Sequence, residues 1–275
     1  MARTHMKDVR ARVAVGAAAA AVAATIWGVT TVVDRGHDTR HQNVSRQSDD
    51  PGKGADAADP AAPGNPVGKV PDGIAHASES GGDAVNITID DGPDPTWTPK
   101  VLAVLKKYDA KAVFCMIGPQ AKDHPDLVKK VVADGHRLCD HTLDHNTAMD
   151  HKPFTYQQQQ ILDAKKMIEE AAGGGAKVEY YRAPGGAFTP ESRALAAANG
   201  MRPLGWNIDS KDFSKPGAAA IVNTVKSELG NGPTVLFHDG GGNRAQTVEA
   251  LDQVLAWLKD QGRPTGFPVV TGPSA

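Results

Sequence analysis

Residues 85–93 read Val-Asn-Ile-Thr-Ile-Asp-Asp-Gly-Pro, an apolar run followed at once by two carboxylates and a turn-forming pair. The apolar run predicts a strand, and Gly-Pro predicts its end. Because side chains alternate along extended backbone, Asp90 and Asp91 must point in different directions. The four residues after the run are also typical of a simple turn. Whether the two carboxylates have separate functions therefore depends on the rest of the sequence.

Six further strand-like runs follow, with helical patterns between them, at residues 112–117, 137–139, 178–181, 202–207, 234–237 and 267–270. Strands that alternate with helices predict an α/β fold with a mainly parallel sheet and crossover connections. Seven or eight such units favour a closed or partly closed (β/α) barrel over an open sheet. Periodicity alone leaves the choice between barrel and open sheet open.

The first 82 residues lie outside this pattern. Basic residues precede an apolar stretch at 13–33, which reaches the length of about 20 residues that a bilayer requires. We therefore predict that residues 1–33 form a cytoplasmic basic segment and a membrane anchor, with a cleaved signal peptide as the alternative. Residues 34–82, rich in Asp, Gly, Pro, Ala and Ser, predict a disordered linker. Either alternative puts the domain at 83–275 outside the cytoplasm, membrane-bound or secreted.

The net charge limits the classes of partner to be expected, and the two cysteines bear on the cellular compartment. A formal net charge of −2 gives no reason to expect nucleic acid. The expected partners are a substrate and, through the amino-terminal segment, a membrane; a monomer is the default, and the sequence does not fix the oligomeric state. Cys115 and Cys139 lie in consecutive predicted strands, so an exported domain could join them by a disulfide. Two buried free thiols are the alternative.

Polar side chains follow five of the predicted strands. Since the carboxyl ends of the strands in a parallel barrel open on one face, these side chains should converge there. His141 and His145 are four residues apart, which in a helical turn puts both rings within reach of one ion. With a carboxylate from another strand end they predict a catalytic zinc site, with iron(II) as the alternative. The whole polar set is Asp90, Asp91, His141, His145, Arg182, Asp209, Asp212, His238 and Asp239.

Five segments resemble, in order, the five motifs of the NodB-homology polysaccharide deacetylases, which are carbohydrate esterase family four. They are Thr-Ile-Asp-Asp-Gly-Pro at 88–93, His-Thr-Leu-Asp-His at 141–145, Arg-Ala-Pro-Gly-Gly at 182–186, Asp-Ser-Lys-Asp-Phe at 209–213 and Leu-Phe-His at 236–238. Ile89 stands where Phe is usual, and Phe213 stands where Trp is common. The resemblance covers almost all of residues 85–270. It implies a distorted (β/α) barrel and metal-dependent removal of acetyl groups from sugars, usually N-acetylglucosamine.

The resemblance implies a role for each matching residue at the metal. Asp90 would be the general base that accepts a proton from water, and Arg182 would orient it. The bound ion would be divalent, with zinc expected first and cobalt or another ion as alternatives. The implied metal ligands are Asp91, His141 and His145.

The resemblance also implies how the substrate is held and protonated. His238 would be the general acid, paired with Asp212. The backbone N–H of Gly185 would stabilise the oxyanion, and Phe213 would keep an apolar wall for the acetyl methyl group without the indole N–H of a Trp. Trp206 lies outside the motif, and we expect it to pack in the core.

The leading hypothesis is a membrane-tethered, metal-dependent N-deacetylase of a cell-wall glycan, peptidoglycan foremost, because a tethered domain meets its own wall first. The enzymatic alternative is a deacetylase or O-acetyl esterase of chitin oligomers or acetylated xylan. An alternative from another class is a non-catalytic glycan- or metal-binding module on the same fold. The presence of every implied catalytic residue argues against that module.

Overall fold

The computed structural model describes residues 69–272 of the chain. Within them, a parallel sheet of eight strands curls into a partly closed barrel, which confirms the predicted α/β class. Seven strands follow the order β5-β4-β3-β2-β1-β7-β6, and β8 pairs with the start of β1. The strands are β1 (Val85–Asp90), β2 (Ala112–Met116), β3 (Arg137–Asp140), β4 (Val178–Tyr181), β5 (Arg202–Pro203), β6 (Ile208–Asp209), β7 (Thr234–His238) and β8 (Thr265–Gly266).

Seven α-helices connect the strands of the described region. Their apolar faces are buried, as in α7, where Leu251, Val254 and Leu258 are at most 1% exposed. The short helix α2 has no counterpart in the sequence prediction. The helices are α1 (Thr98–Lys107), α2 (Gly118–Asp123), α3 (Pro125–Ala133), α4 (Phe154–Ala172), α5 (Pro190–Ala198), α6 (Ala218–Glu228) and α7 (Ala245–Asp260).

The central strand β1 is buried on both faces, yet its sequence alternates between apolar and polar residues. Val85, Ile87 and Ile89 belong to the main apolar core. On the alternate face, the Asn86 side chain donates a hydrogen bond to Thr234 Oγ1 at 2.9 Å, and Thr88 Oγ1 donates to the carbonyl of Val235 at 2.7 Å. Asp90 continues this polar face. The period of two therefore separates the core from a polar interior that ends at the carboxylate.

A disulfide joins Cys115 in β2 to Cys139 in β3, two residues that are register partners in the parallel ladder. Of the two alternatives that the sequence left open, the structure therefore has the bridge. Both cysteines are fully buried and pack in a second, smaller apolar cluster with Val113, Tyr180 and Leu204. The bridge ties β3, which leads into the predicted motif at 141–145, to β2, which pairs with β1 beside the motif at 88–93.

Two predicted strands differ from the structure. Of the strand predicted at 202–207, only Arg202–Pro203 forms a strand, β5, and the next strand, β6, begins after the predicted range at Ile208. Pro203 has no N–H to donate, and the N–H of Gly205 bonds to the carbonyl of Ala75, so the chain leaves the ladder there. The strand predicted at 267–270 lies earlier, at β8, and Pro268 forms a single antiparallel bridge with Ser78 instead.

Residues 69–82 correct the predicted extent of the linker. Ala75 is fully buried and pairs with Leu204; its N–H bonds to the carbonyl of Pro203 at 2.8 Å. The N–H of Glu79 bonds to the carbonyl of Phe267 at 2.8 Å. The prediction of a disordered linker up to residue 82 is therefore wrong over this segment, because backbone hydrogen bonds hold a stretch that composition marks as polar. The predicted anchor at 1–33 and residues 34–68 lie outside the described residues.

No helix among residues 69–272 has the length and apolarity that crossing a membrane requires.

A chain that begins at Gly82 should be much less stable than one that begins at Ala61. The shorter chain loses four backbone hydrogen bonds made by Ala75, Ala77 and Glu79. At roughly 1 kcal/mol net for each bond, the loss is about 4 kcal/mol. This is comparable with the roughly 5–15 kcal/mol that stabilises a typical domain. Thermal unfolding of the two chains tests this, and equal melting temperatures would show that residues 69–81 are not part of the folded unit.

Candidate active site

The carboxyl ends of several strands bring the predicted polar residues together. Asp90 and His238 are the last residues of β1 and β7 and are register partners in the ladder. His141 and Arg182 follow β3 and β4 directly, and Asp212 follows β6 after a short turn. Side chains from five separate chain segments thus reach one edge of the barrel, as the strand-helix pattern predicts.

Three side chains lie close enough to share one ion. The ligand atoms of Asp91, His141 and His145 all lie within 4.8 Å of one another. Asp91 Oδ1 is 3.2 Å from His145 Nε2 and 3.7 Å from His141 Nε2. Asp91 Oδ1 is also buried and accepts no hydrogen bond from any described residue. An orphaned carboxylate oxygen facing two imidazole nitrogens fits a divalent cation, with a donor set that suits zinc.

The protonation state of His141 also fits a metal-binding site. Its Nδ1 lies 2.7 Å from the carbonyl oxygen of Arg182, and a carbonyl can only accept. Nδ1 therefore carries the proton, and Nε2 turns its lone pair toward Asp91. Burial lowers the pKa of His141 to about 3, so the ring is neutral at ordinary pH. A neutral imidazole whose second nitrogen donates to a carbonyl is the form that binds metals.

The two histidines reach the site by a route that the sequence did not predict. Residues 141–145 form an irregular turn and not a helical one, with φ of 69° at Thr142 and 54° at His145. The N–H of Thr142 donates to Asp140 Oδ1 at 2.7 Å, and Gln160 Oε1 in α4 accepts from the next two N–H groups at 3.0 Å. These side-chain bonds hold a backbone that a β-branched residue rarely adopts.

Asp90 is held by a fully buried guanidinium. Arg182 Nη1 donates to Asp90 Oδ1 at 2.7 Å and to Thr88 Oγ1 at 2.9 Å. Its other nitrogens donate to the carbonyls of Leu204 and Gly205. Burial raises the pKa of Asp90, and the charge of Arg182 acts in the opposite direction. One oxygen of Asp90 is thus fixed by Arg182, while Oδ2 lies 3.5 Å from His141 Nε2.

His238 forms the second anchored pair. Its Nδ1 donates to Asp212 Oδ1 at 2.7 Å, and its backbone N–H donates to Asp212 Oδ2 at 2.9 Å. Thr247 Oγ1 also donates to this carboxylate, at 2.8 Å. Burial acts to lower the pKa of His238, but the hydrogen bond and charge of Asp212 outweigh it, and the pKa is raised. A proton on Nε2 is therefore held more tightly than on a free imidazole.

Apolar and glycine residues line the rim around these pairs. The Phe213 side chain is 49% exposed, and its ring centroid lies 5.8 Å from that of His238. Gly185 is exposed with φ of 61°, where a Cβ would press on Thr147 at 3.2 Å. Trp206 is only half-buried, 5.5 Å from the Arg182 guanidinium, so the expectation that it packs in the core is wrong.

Comparison with known proteins agrees with this geometry. The family model described as polysaccharide deacetylase matches residues 77–204. A peptidoglycan-N-acetylglucosamine deacetylase of Bacillus cereus is 39% identical over 180 residues, covering 65% of this chain and 83% of that protein. The chain belongs to the polysaccharide deacetylase family. Its resemblance to the NodB-homology motifs is thereby confirmed, and the chain is a carbohydrate deacetylase.

Two further proteins show the same relationship. A chitooligosaccharide deacetylase of Sinorhizobium fredii is 35% identical over 197 residues, covering 67% of this polysaccharide deacetylase and 90% of the relative. The crystal structure of the Bc1960 peptidoglycan N-acetylglucosamine deacetylase superposes with a TM-score of 0.65 at 27% identity. The superposition covers 70% of this chain and 90% of the Bc1960 chain. These similarities support the distorted barrel.

The polysaccharide deacetylase site contains buried carboxyls to which sequence reasoning gave no role. Asp140 fixes the turn that carries His141, and burial raises its pKa well above the ordinary value. Asp239 lies beside the Asp91 turn, and burial raises its pKa to about 7. Asp140 and Asp239 stand next to motif residues in the sequence, but adjacency does not show which turn a side chain supports.

Proposed function

We propose that this deacetylase uses a divalent metal ion, zinc foremost, to remove acetyl groups from N-acetylglucosamine units of a cell-wall glycan. The observation that carries the proposal is the cluster of Asp91, His141 and His145, which has an unpaired buried carboxylate oxygen at its centre. An anchored carboxylate and an anchored imidazole, Asp90 and His238, accompany it at the strand ends.

The three clustered side chains, two imidazoles and one carboxylate, would hold the ion and leave a coordination position open. When bound, such an ion supplies Lewis-acid activation of water and of the amide carbonyl. The tautomer of His141, fixed by the carbonyl of Arg182, keeps its Nε2 available without a conformational change.

Asp90 accepts the proton from the attacking water. The Arg182 guanidinium occupies Oδ1 of Asp90 and leaves Oδ2 as the proton acceptor. Burial raises the pKa of Asp90, which strengthens its carboxylate as a base relative to an ordinary aspartate. The water oxygen bonds to the acetyl carbon, and the carbonyl π electrons move onto the oxygen.

His238 delivers a proton to the departing nitrogen. The oxyanion re-forms the carbonyl double bond as the C–N bond breaks, and an amine is a poor leaving group unless it is protonated as it departs. The Asp212 carboxylate holds the Nδ1–H bond, so Nε2–H is the proton available to the substrate. The products are acetate and a sugar amine.

Two further groups would complete the site. We assign the N–H of Gly185 to the developing oxyanion, an interaction worth about 3 kcal/mol when one such donor is removed. A larger residue at Gly185 would be strained, because φ is positive there and a Cβ would lie 3.2 Å from Thr147. The exposed Phe213 ring beside His238 would hold the acetyl methyl group.

Peptidoglycan is the proposed substrate because the relative of 39% identity carries that activity in its name. The buried disulfide supports action outside the cytoplasm, where such bonds persist. We propose that the amino-terminal segment keeps the domain at the membrane, or that the domain is secreted if that segment is cleaved. Chitin oligomers are the second candidate, because a relative of 35% identity is named for chitooligosaccharides.

The deciding experiment measures acetate release by zinc-loaded protein from peptidoglycan, chitin oligomers and acetylated xylan. We expect release from peptidoglycan above the other two. His141→Ala should abolish zinc binding and release together, because it removes one of three ligands. Absence of release from all three substrates by protein with demonstrably bound zinc would contradict the proposal.

A further inference from the structure

Asp239 follows His238 directly, yet the proposed chemistry uses only His238. The Asp239 side chain is fully buried, and its Oδ2 accepts a hydrogen bond from Thr98 Oγ1 at 2.6 Å. Its Oδ1 is buried without a hydrogen-bond partner among the described residues. Burying a carboxyl group with one oxygen unsatisfied is costly, so a compensating role is expected at this position.

The unsatisfied oxygen packs against the turn that carries Asp91. A Cβ placed on Gly92 would overlap Asp239 Oδ1, so the Asp239 carboxyl group lies directly on the Gly92 backbone. In the opposite direction, a Cβ on Gly240 would overlap the carbonyl oxygen of Asp91. The two turns therefore interlock through one glycine each, and neither can shift without displacing the other.

A short hydrogen-bond chain completes the connection. The N–H of Asp94 donates to Thr98 Oγ1 at 2.8 Å, and the Thr98 hydroxyl donates onward to Asp239. The backbone N–H of Asp239 donates to the carbonyl of Asp90 at 3.0 Å. Asp239 is thus bonded to the residue before Asp91 and, through Thr98, to the turn after it.

We propose that Asp239 is a positioning residue that fixes Asp91 for metal binding. The inference rests on the proposed function, since it assigns Asp91 as a metal ligand. Asp91 has φ of 76°, a conformation that costs a non-glycine residue energy and persists only where its surroundings impose it. The Asp239 carboxyl group on one side and the Gly240 backbone on the other impose it.

The test compares zinc affinity across four variants of the full chain, measured by competition with a chromophoric chelator. Asp239→Ala removes both the packing and the acceptor, and should weaken zinc binding by about 10- to 100-fold, as the loss of groups that orient metal ligands does. Thr98→Val breaks the same chain from the other end and should weaken binding in the same direction. Asp239→Asn and Thr98→Ser keep shape and hydrogen bond, and should stay near wild type.

Activity at limiting and saturating zinc separates positioning from a purely structural role. We expect kcat of Asp239→Ala to recover when zinc is in excess, with KM for the glycan unchanged throughout. If Asp239→Ala does not fold, Thr98→Val carries the comparison. A lower melting temperature of the zinc-free variants with unaltered zinc affinity would overturn the inference. Wild-type protein that neither binds zinc nor releases acetate would instead contradict the proposed function itself.

Discussion

Asp90→Asn is expected to lower kcat by about 10²- to 10⁴-fold, the usual contribution of a general base, while the metal stays bound. An amide oxygen can still accept the hydrogen bond that Arg182 donates at 2.7 Å, so the side chain should keep its place. It cannot take a proton from water. Turnover and zinc content of the purified variant should therefore separate, with zinc near one equivalent and acetate release almost absent.

Asp91→Asn is the matched control, because it makes the same chemical change one residue along the chain. It should weaken zinc binding, since Asp91 Oδ1 lies between the two imidazoles. Distance to His141 does not separate the two carboxylates, which lie 3.5 and 3.7 Å from its Nε2. Their other partners separate them, because of the two carboxylates only Asp90 is paired with Arg182. If Asp90→Asn loses zinc and Asp91→Asn retains it, the two roles are reversed.

Asp212→Asn should lower kcat by about 10²- to 10⁴-fold and move the alkaline limb of the pH profile to lower pH. The general acid works only when protonated, so activity falls as pH rises through the pKa of His238. Burial lowers this pKa, whereas the Asp212 hydrogen bond and charge raise it above the ordinary value. Without the Asp212 carboxylate its two contributions are lost, and only the smaller effects of the Asp90 and Asp91 charges still oppose burial. The His238 pKa then falls, and the limb shifts downward.

Rates measured from pH 5 to 10 at saturating substrate and zinc would show this shift. Thr247→Val is the matched control, because it removes one hydrogen bond from Asp212 and leaves the charge next to His238. Its limb should move much less. An alkaline limb that stays in place in Asp212→Asn would assign the protonation step to another group.

The barrel and most of the site could be predicted from sequence, because each polar motif follows an apolar run. Asp90 and His238 end buried strands, and the apolar runs directly before them predict those strands. The five motif segments also occur in the same order as in the family, and single residues do not carry that information. Each of these signals is local in the sequence. The parallel topology then brings the residues at the strand ends close together, because all the strands end on one face.

The remaining features depend on contacts that spacing does not encode. The four-residue interval between His141 and His145 suggested a helical turn, but bonds from Asp140 and Gln160 impose an irregular one. Residues 69–82 have the composition of a linker, yet backbone hydrogen bonds hold them in place. Every sequence has the backbone groups that form such bonds, so composition does not predict them. Asp239 was visible in the sequence, but only the packing on Gly92 shows what it supports.

The buried disulfide has a consequence for the order in which this protein matures. Cys115 offers its carbonyl to the N–H of Asp91 at 3.2 Å, and Cys139 stands two residues before His141. Oxidation of the thiols therefore joins the strand whose carbonyl binds the Asp91 backbone to the strand that leads to His141. Full zinc affinity should develop only after oxidative folding. Protein purified from a reducing compartment would need reoxidation before its metal content reports on the native enzyme.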